Sequence, residues 1–228
     1  MTGRIRRVID RGVDRLEAIL ESAIQRRYER APLCAAPLAP ASEYVRRWQE
    51  ARAQAFPVVD EFEVRCGAAI DAEWFHQLAL VTQVPIKSSA ICYQHGRLLY
   101  AALARYVRIR RPEHVTIVET GTARGFSSLC LAKALADTGA GGTIATFDVL
   151  PHDVPIFWNC LRDEEGPRTR AELLRDYSAL MERSIIFHRG DTKREMAKVS
   201  VPRVHFAFLD SVHTYEYVMA EFASIRDH

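Results

Sequence analysis

The segment that most constrains the fold runs from His114 to Leu135, with the sequence HVTIVETGTARGFSSLCLAKAL. It begins with a run of β-branched residues, which is typical of a parallel strand that is buried on both faces. The run ends at Glu119 and a loop with two glycines, after which apolar residues recur at helical spacing. The segment therefore predicts a buried strand, a ligand-binding turn and a helix.

The spacing of the glycines indicates which ligand the turn would hold. Gly121 permits a positive φ and a close approach of ligand to backbone, and Gly125 lets the helix start lie near the strand. A dinucleotide fingerprint spaces its glycines so that a pyrophosphate meets free helix N–H groups. Here the pattern is E-x-G-x-x-x-G, and Glu119 would repel a pyrophosphate but suits an ammonium or hydroxyl donor. The alternative is a glycine-rich turn that opens the helix and binds no ligand.

This pattern resembles motif I of the class I S-adenosylmethionine-dependent methyltransferases. In that family the glycine loop holds the amino-acid half of the cofactor. The resemblance assigns cofactor binding to residues of the loop and of the strand and helix that flank it: Glu119, Gly121, Thr122, Gly125 and Ser127.

Composition limits the class of protein. The 228 residues are 48% hydrophobic, enough for one substantial core with an N-terminal addition. A formal net charge of +2, with acids interleaved among the arginines, predicts no nucleic-acid partner. The five cysteines lie far apart without a CxxC pair, which favours reduced thiols in the cytosol over a zinc cluster or a disulfide framework. No signal peptide and no run of ~18 apolar residues is present, so we expect a cytoplasmic protein.

The chain is predicted to have three parts. Residues 1–42 combine an amphipathic helix with the proline-rich stretch APLCAAPLAPAS, which reads as a linker or an extended arm. The helix could lie on an anionic membrane, but its mixed charges favour packing against the chain's own body or a second copy, as in a homo-oligomer. Residues 43–112 predict a helical cap, broken near Pro57 and Pro85, and residues 113–228 predict the cofactor-binding core. In the cap, Lys87 and His95 could face a pocket, although the more common role is that of a solvated loop cation for Lys87 and of a partly buried helix-start residue for His95.

Two further predicted strands also lead to carboxylates. Thr143–Phe147 is β-rich and is followed by Asp148, where a carboxylate beyond a parallel strand can accept both hydrogen bonds of a ribose diol. A third short strand over 184–188 leads to Gly190 and Asp191. In the family that the chain resembles, such a pair lies beside the adenine, whereas the simpler role for Asp191 is a helix cap. Between these strands, residues 170–181 predict one helix.

The fourth predicted strand, 204–209, ends at Asp210. Ser211 can cap the helix that follows, which would place His213 in the first turn of that helix, close to Asp210. The phrase FLDSVHTYEYVMAEF resembles the D-x-x-H-x-Y signature of the small-molecule O-methyltransferase group related to cephalosporin hydroxylase and macrocin O-methyltransferase.

Several further expectations follow from that resemblance. The fold would be a doubly wound, Rossmann-like α/β sheet with an N-terminal helical region. Enzymes of the group often hold Mg²⁺ with the acid after strand four, which makes Asp210 the candidate metal ligand here. The family's sheet continues for three more strands, so this sheet with four parallel strands would be incomplete and its C-terminal strands missing. Methyl transfer to a hydroxyl needs alignment and a base, and His213 or Asp210 could serve as that base.

The sequence thus predicts an S-adenosylmethionine-dependent methyltransferase that acts on a hydroxyl of a small molecule, such as a sugar or a natural product. One alternative is an inactive cofactor-binding or assembly module. An NAD-dependent oxidoreductase is a further alternative, and the glycine spacing speaks against it.

Overall fold

The computed structural model describes residues 19–227, except residues 21, 24, 25, 27, 200 and 202. Its elements in chain order are the helices α1 (Ala41–Arg52), α2 (Pro57–Cys66), α3 (Ala72–Thr82) and α4 (His95–Arg110), then β1 (Val115–Thr120), α5 (Phe126–Asp137), β2 (Gly142–Asp148), a 3-10 helix (Leu161–Glu165), α6 (Arg170–Leu173), a second 3-10 helix (Arg175–Tyr177), α7 (Ser178–Ser184), β3 (Ile185–Arg189), α8 (Thr192–Lys198), β4 (Phe206–Leu209) and α9 (Tyr215–Ala223).

The predicted N-terminal amphipathic helix lies mostly outside the described residues. The described positions between 19 and 30 are helical, and both Ile19 and Leu20 are exposed. Residues 31–40 contain no helix, and Cys34 forms an antiparallel bridge with Phe157. The proline-rich stretch is therefore an extended arm that reaches the core at Cys34.

The four strands form one parallel sheet in the order β3-β2-β1-β4. β1 lies between β2 and β4, so the chain moves outward on one side of β1 and then returns to its other side. In such sheets the connections diverge at this reversal, and a crevice forms beyond the carboxyl ends of the two central strands. The topology confirms the predicted doubly wound, Rossmann-like α/β fold.

Helices cover both faces of the sheet, and β1 and β2 are therefore buried on both sides. Val115 and Ile117 join the larger core, which includes α4 and α5, whereas Val118 belongs to a smaller core with Met196 and Ile225. The alternation along β1 follows the two-residue period of a strand. The sheet is therefore held between two helical layers.

The N-terminal end of α4 packs directly on the N-terminal end of α5. A Cβ atom at Gly96 would lie 2.7 Å from two ring carbons of Phe126 and 2.8 Å from Sγ of Cys130. Only glycine fits without a shift of one helix. Phe126 opens α5, the helix that follows the glycine loop. The contact therefore fixes α4 against the end of that loop.

Two predicted helices differ from those observed. The helix predicted over 170–181 is interrupted at Leu174, whose backbone is not helical (φ −102°, ψ 17°). The interruption lets the consecutive residues Leu173 and Leu174 both be fully buried, which a continuous helix would oppose.

The predicted cap of the helix after β4 is also wrong. Thr214, not Ser211, accepts the capping hydrogen bond, from the backbone N of Tyr217 at 3.4 Å. His213 therefore lies in the loop before α9 and not in its first turn. Ser211 instead donates its hydroxyl to Glu221.

No helix in the described part of the chain is long and apolar enough to cross a bilayer.

We predict that Gly96→Ala lowers the free energy of unfolding by about 1–3 kcal/mol, since the added methyl group forces α4 and α5 apart. Urea unfolding measures the change. Gly141→Ala is the matched control, because its Cβ would meet only ordinary contacts, the nearest at 3.6 Å, and we expect a change within about 0.5 kcal/mol. A Gly96→Ala protein as stable as wild type would contradict the tight contact.

Candidate active site

The glycine loop, residues 121–125, is wedged between the tips of the neighbouring strands. Gly121 (φ +83°) donates its N–H to the carbonyl of Phe147 at 2.8 Å, and a Cβ atom there would lie 2.2 Å from the carbonyl oxygen of Asp210. Any other residue would collide with backbone, which cannot move aside as a side chain does. The loop is thereby fixed at the carboxyl ends of β1, β2 and β4.

Asp148, the last residue of β2, holds the glycine loop through its carboxylate. Oδ2 accepts from the backbone N of Ala123 at 2.6 Å, and Oδ1 accepts from the backbone N of Leu150 at 2.7 Å. Each carboxylate oxygen can accept a second hydrogen bond. The carboxylate therefore lies at the loop with acceptor capacity left for a ligand.

Glu119 is fully buried, and Oε2 of its carboxylate is occupied by protein hydroxyls. It accepts from Ser128 and, at 2.5 Å, from Thr146. Burial raises the pKa of Glu119, an effect that hydrogen bonding from Ser127, Ser128 and Thr146 opposes and the charge of Asp148 reinforces. Oε1 has no partner of good geometry among the described residues, although Ser127 lies near the carboxylate.

The residues at these tips fit S-adenosylmethionine in their chemistry. The cofactor carries an ammonium group, which needs a carboxylate acceptor, and a ribose diol, which donates to one. Glu119 offers an unpartnered buried oxygen, and Asp148 offers acceptor capacity beside the loop. Gly121 is required for two reasons: its backbone has a positive φ, and the Asp210 backbone lies too close to leave room for a Cβ atom.

Two arginines that the sequence analysis missed, the buried Arg170 and the half-buried Arg124, support the loop. Nε of Arg170 donates to the carbonyl of Ala123 at 3.0 Å, and its guanidinium lies over the rings of Trp158 and Phe187. Arg124, within the loop, donates from Nε to the carbonyl of Trp158 at 2.6 Å. Burial lowers the pKa of Arg170, and the charges of Asp148 and Glu119 oppose that shift. No pattern near residue 170 predicted this role.

The tips of β3 and β4 carry the other predicted site residues. Asp191 stands at the N-cap position of α8 but makes no capping hydrogen bond, and its Oδ2 accepts from the hydroxyl of Tyr217 at 2.9 Å. The backbone N of Asp210 bonds both the carbonyl and the hydroxyl of Thr120, at 3.1 and 3.2 Å. Thr122 shares a 2.5 Å hydrogen bond with Thr146. These contacts join the tips of β1, β2 and β4 directly.

The predicted base, His213, is the most exposed of the site residues. Its side chain is 78% exposed, and Nδ1 lies 3.7 Å from Oδ1 of Asp210, beyond hydrogen-bond distance. His95 is the better enclosed histidine, with its ring 5.1 Å from that of Phe126 and stacked on Phe208 at 6.3 Å. Burial lowers the pKa of His95, and the nearby charge of Asp210 opposes the shift. Lys87 is exposed in its loop.

The residues around Asp210 do not form a metal site. Across the described ranges, no three histidine, cysteine or acidic side chains converge as a set of metal ligands. Among the described residues, Asp210 is therefore a single candidate carboxylate without a second acidic ligand grouped around it.

A reversing parallel sheet with a glycine loop and acids at successive strand tips is a Rossmann-like α/β arrangement, in which ligands bind beyond the carboxyl ends of the strands. Residues 118–228 match the model of a family described as a methyltransferase domain. This match confirms the resemblance that the sequence motifs indicated, over that part of the chain. No curated protein sequence matches the chain.

Solved structures of similar fold include enzymes captured with the cofactor or its product. The O-methyltransferase TomG from Streptomyces achromogenes, involved in tomaymycin synthesis and solved with SAM, is 20% identical over 69% of this chain and 63% of TomG, with a TM-score of 0.43. The SAH-bound methyltransferase PaMTH1 from Podospora anserina is 18% identical over 94% of this chain and 64% of its own, with a TM-score of 0.38. An O-methyltransferase from Bacillus cereus in complex with SAH is 15% identical over 76% and 64%, with a TM-score of 0.39. The chain spans less than two thirds of the length of each.

We predict that Glu119→Gln changes the pH dependence of stability. Because the folded-state pKa of Glu119 is raised, the folded protein keeps this proton to a higher pH than the unfolded chain, and wild-type stability from this group falls as pH rises through the folded pKa. The variant lacks this titration, so its free energy of unfolding should improve relative to wild type as the pH rises from the acidic to the neutral range. Urea unfolding across this range is the measurement.

The control for that comparison is Glu164→Gln, which neutralises an exposed glutamate. Its stability curve should run parallel to that of wild type. Parallel curves for Glu119→Gln as well would show that the Glu119 carboxyl titrates alike in the folded and unfolded chains.

Proposed function

We propose that the protein is an S-adenosylmethionine-dependent methyltransferase that methylates a hydroxyl group of a small molecule, such as a sugar or a natural product. The observation that carries the proposal is the position of Asp148, whose carboxylate lies at the tip of β2 against the glycine loop. The family match over residues 118–228 supports the same reading.

Each residue at the strand tips would bind a different part of the cofactor. Asp148 would accept from the ribose diol, and the free oxygen of Glu119 would accept from the ammonium group. The backbone of the glycine loop, from Gly121 to Gly125, would lie against the amino-acid half, with Thr122 and Ser127 completing the wall. Asp191 would accept from the exocyclic amine of the adenine, with Asp210 on the opposite flank. When bound, the cofactor supplies a methyl group on a positively charged sulfur.

The acceptor side would be built from β4 and the cap. A hydroxyl that accepts the methyl group would have to lose its proton. His213, with Asp210 beside it, would take that proton from the loop before α9. The exposed position of His213 leaves its ring free to meet an acceptor in the crevice.

The proposal also includes the domain organisation and the oligomeric state of the protein. Residues 43–112 would act as the helical cap over the core of residues 113–228, and the N-terminal helical region would pack against a second copy in a homo-oligomer. The partner of the reaction would be a small-molecule acceptor in the cytoplasm.

We predict that the wild-type protein binds S-adenosylhomocysteine and that Asp148→Asn weakens this binding about 10- to 100-fold, since a charge-assisted pair of hydrogen bonds to the ribose is lost. Isothermal titration calorimetry measures the dissociation constant. Asp227→Asn, at an exposed site on the C-terminal turn, is the matched control and should bind as wild type does.

A parallel titration with NAD separates the proposal from the oxidoreductase alternative. Heat from NAD and none from S-adenosylhomocysteine would overturn the methyltransferase reading. Binding of S-adenosylhomocysteine without methyl transfer to any member of a panel of sugars and phenols would favour an inactive cofactor-binding module.

We predict that His213→Ala lowers kcat about 100-fold while leaving the affinity for S-adenosylhomocysteine unchanged, because the side chain contributes proton transfer and not cofactor binding. The assay follows formation of S-adenosylhomocysteine with a hydroxylated acceptor that the wild-type protein turns over. His114→Ala is the control, since His114 precedes β1 and therefore lies at the amino end of the strands, opposite to the candidate site. Unchanged kcat in His213→Ala would remove this residue from the mechanism.

A further inference from the structure

Glu221 of α9 is a fully buried carboxylate that accepts hydrogen bonds from three hydroxyl groups. Oε2 accepts from Thr120 at 2.9 Å, and Oε1 accepts from both Thr192 and Ser211. Its side chain has no exposed surface. Nothing in the proposed chemistry uses this group.

The three donors come from three different strand tips. Thr120 is the last residue of β1, Ser211 follows β4 after one residue, and Thr192 opens α8 two residues after Gly190 at the end of β3. Two of the donors are direct neighbours of predicted site residues, since Ser211 follows Asp210 and Thr192 follows Asp191. A single carboxylate therefore joins the segments that carry both acids.

The link to Asp210 also runs through a hydrogen-bond relay. The backbone N of Asp210 donates to Oγ1 of Thr120 at 3.2 Å, and Oγ1 donates its own proton to Glu221. Because a hydroxyl has one proton, its donation to Glu221 leaves the lone pairs of Thr120 to accept from Asp210. The carboxylate thereby orients the hydroxyl of Thr120, which shares the N–H of Asp210 with the backbone carbonyl of Thr120.

The same helix also holds Asp191 from one turn earlier. The hydroxyl of Tyr217 donates to Oδ2 of Asp191 at 2.9 Å, and Tyr217 precedes Glu221 by four residues on the same face of α9. α9 thus contacts the Asp191 segment through both residues.

The burial of Glu221 is costly unless the charge serves a geometric purpose. A desolvated carboxylate is stabilised only if its partners are well placed, and an apolar side chain of similar volume often stabilises a core equally well. Here the partners are hydroxyls of strand tips, not a cation. A group of this kind fixes the directions of its donors, which an apolar residue cannot do.

We infer that Glu221 is a positioning residue for cofactor binding, which sets the Asp191 and Asp210 segments in the geometry that the nucleoside requires. The inference rests on the proposed function and extends it to a residue that does not touch the cofactor. Glu221 acts through Thr120, Thr192 and Ser211.

The test compares Glu221→Gln and Glu221→Leu with wild type by calorimetric titration with S-adenosylhomocysteine, at a temperature well below the thermal midpoint of each folded variant. Glutamine keeps the shape but cannot accept at its amide nitrogen, and leucine keeps the burial without any acceptor. We expect the dissociation constant to rise at least about tenfold in both. Glu216→Gln is the matched control, because it makes the same substitution at an exposed position of the same helix. We expect it to leave the affinity unchanged.

A double-mutant cycle gives a readout that loss of stability alone would not produce. Thr120→Val removes the middle of the relay with little change of shape. If Glu221 acts through Thr120, the double variant Thr120→Val with Glu221→Leu should bind no more weakly than the weaker of the two single variants. Losses that multiply would contradict the relay.

The outcomes separate this inference from the function on which it rests. Wild-type affinity in a folded Glu221→Gln protein, even one with a lower thermal midpoint, would reduce Glu221 to a structural residue and leave the methyltransferase proposal in place. Failure of the wild-type protein itself to bind S-adenosylhomocysteine would overturn the proposed function.

Discussion

The structure depends on the contact between Gly121 and the backbone of Asp210. β1 and β4 are neighbours in the sheet, and the turn after β1 can pass the end of β4 only where no Cβ intervenes. This contact fixes the position of the glycine loop relative to the carboxyl ends of the strands. Asp148 then binds the backbone N–H of Ala123 and Arg170 binds its carbonyl, so that the loop is held by charge from both sides. The loop is therefore rigid by construction, although its sequence is one that could be flexible.

The site is also notable for how many charges it buries. Glu119, Glu221 and Arg170 are buried. With the half-buried Arg124, they lie close to the strand tips and bond mainly to hydroxyls and carbonyls. Removing an ion from water costs several kcal/mol even in a relaxed protein interior, and dipolar partners compensate only when they are correctly directed. Such a network specifies geometry more than it adds stability. An active site that must align a donor and an acceptor needs this property.

Much of the fold could be predicted because it follows from local patterns. The buried run before Glu119, the acid at Asp148 and the β-rich segments between turns are visible in the sequence, and the rule for parallel sheets places their ends together. Arg170 could not be found in this way, since its surroundings are the rings of Trp158 and Phe187 and not its sequence neighbours. The prediction for the cap of α9 failed because serine and threonine are both good capping residues, and in the structure the hydroxyl of Ser211 is bonded to Glu221 while Thr214 caps the helix. A signal for Glu221 did exist: residues 217 and 221 lie one turn apart on α9, and the turn that follows the helix carries the buried Ile225.

The spacing of these contacts along the chain has a consequence for how the protein acquires its site. Thr120 bonds Asp210 across 90 residues and Glu221 across 101 residues. Contacts of such separation close large loops and form late, together with the rest of the native structure. On a growing nascent chain the glycine loop emerges long before its partners, and it lacks its working geometry until they arrive. The proposed nucleoside site would therefore be complete only after the sheet has closed.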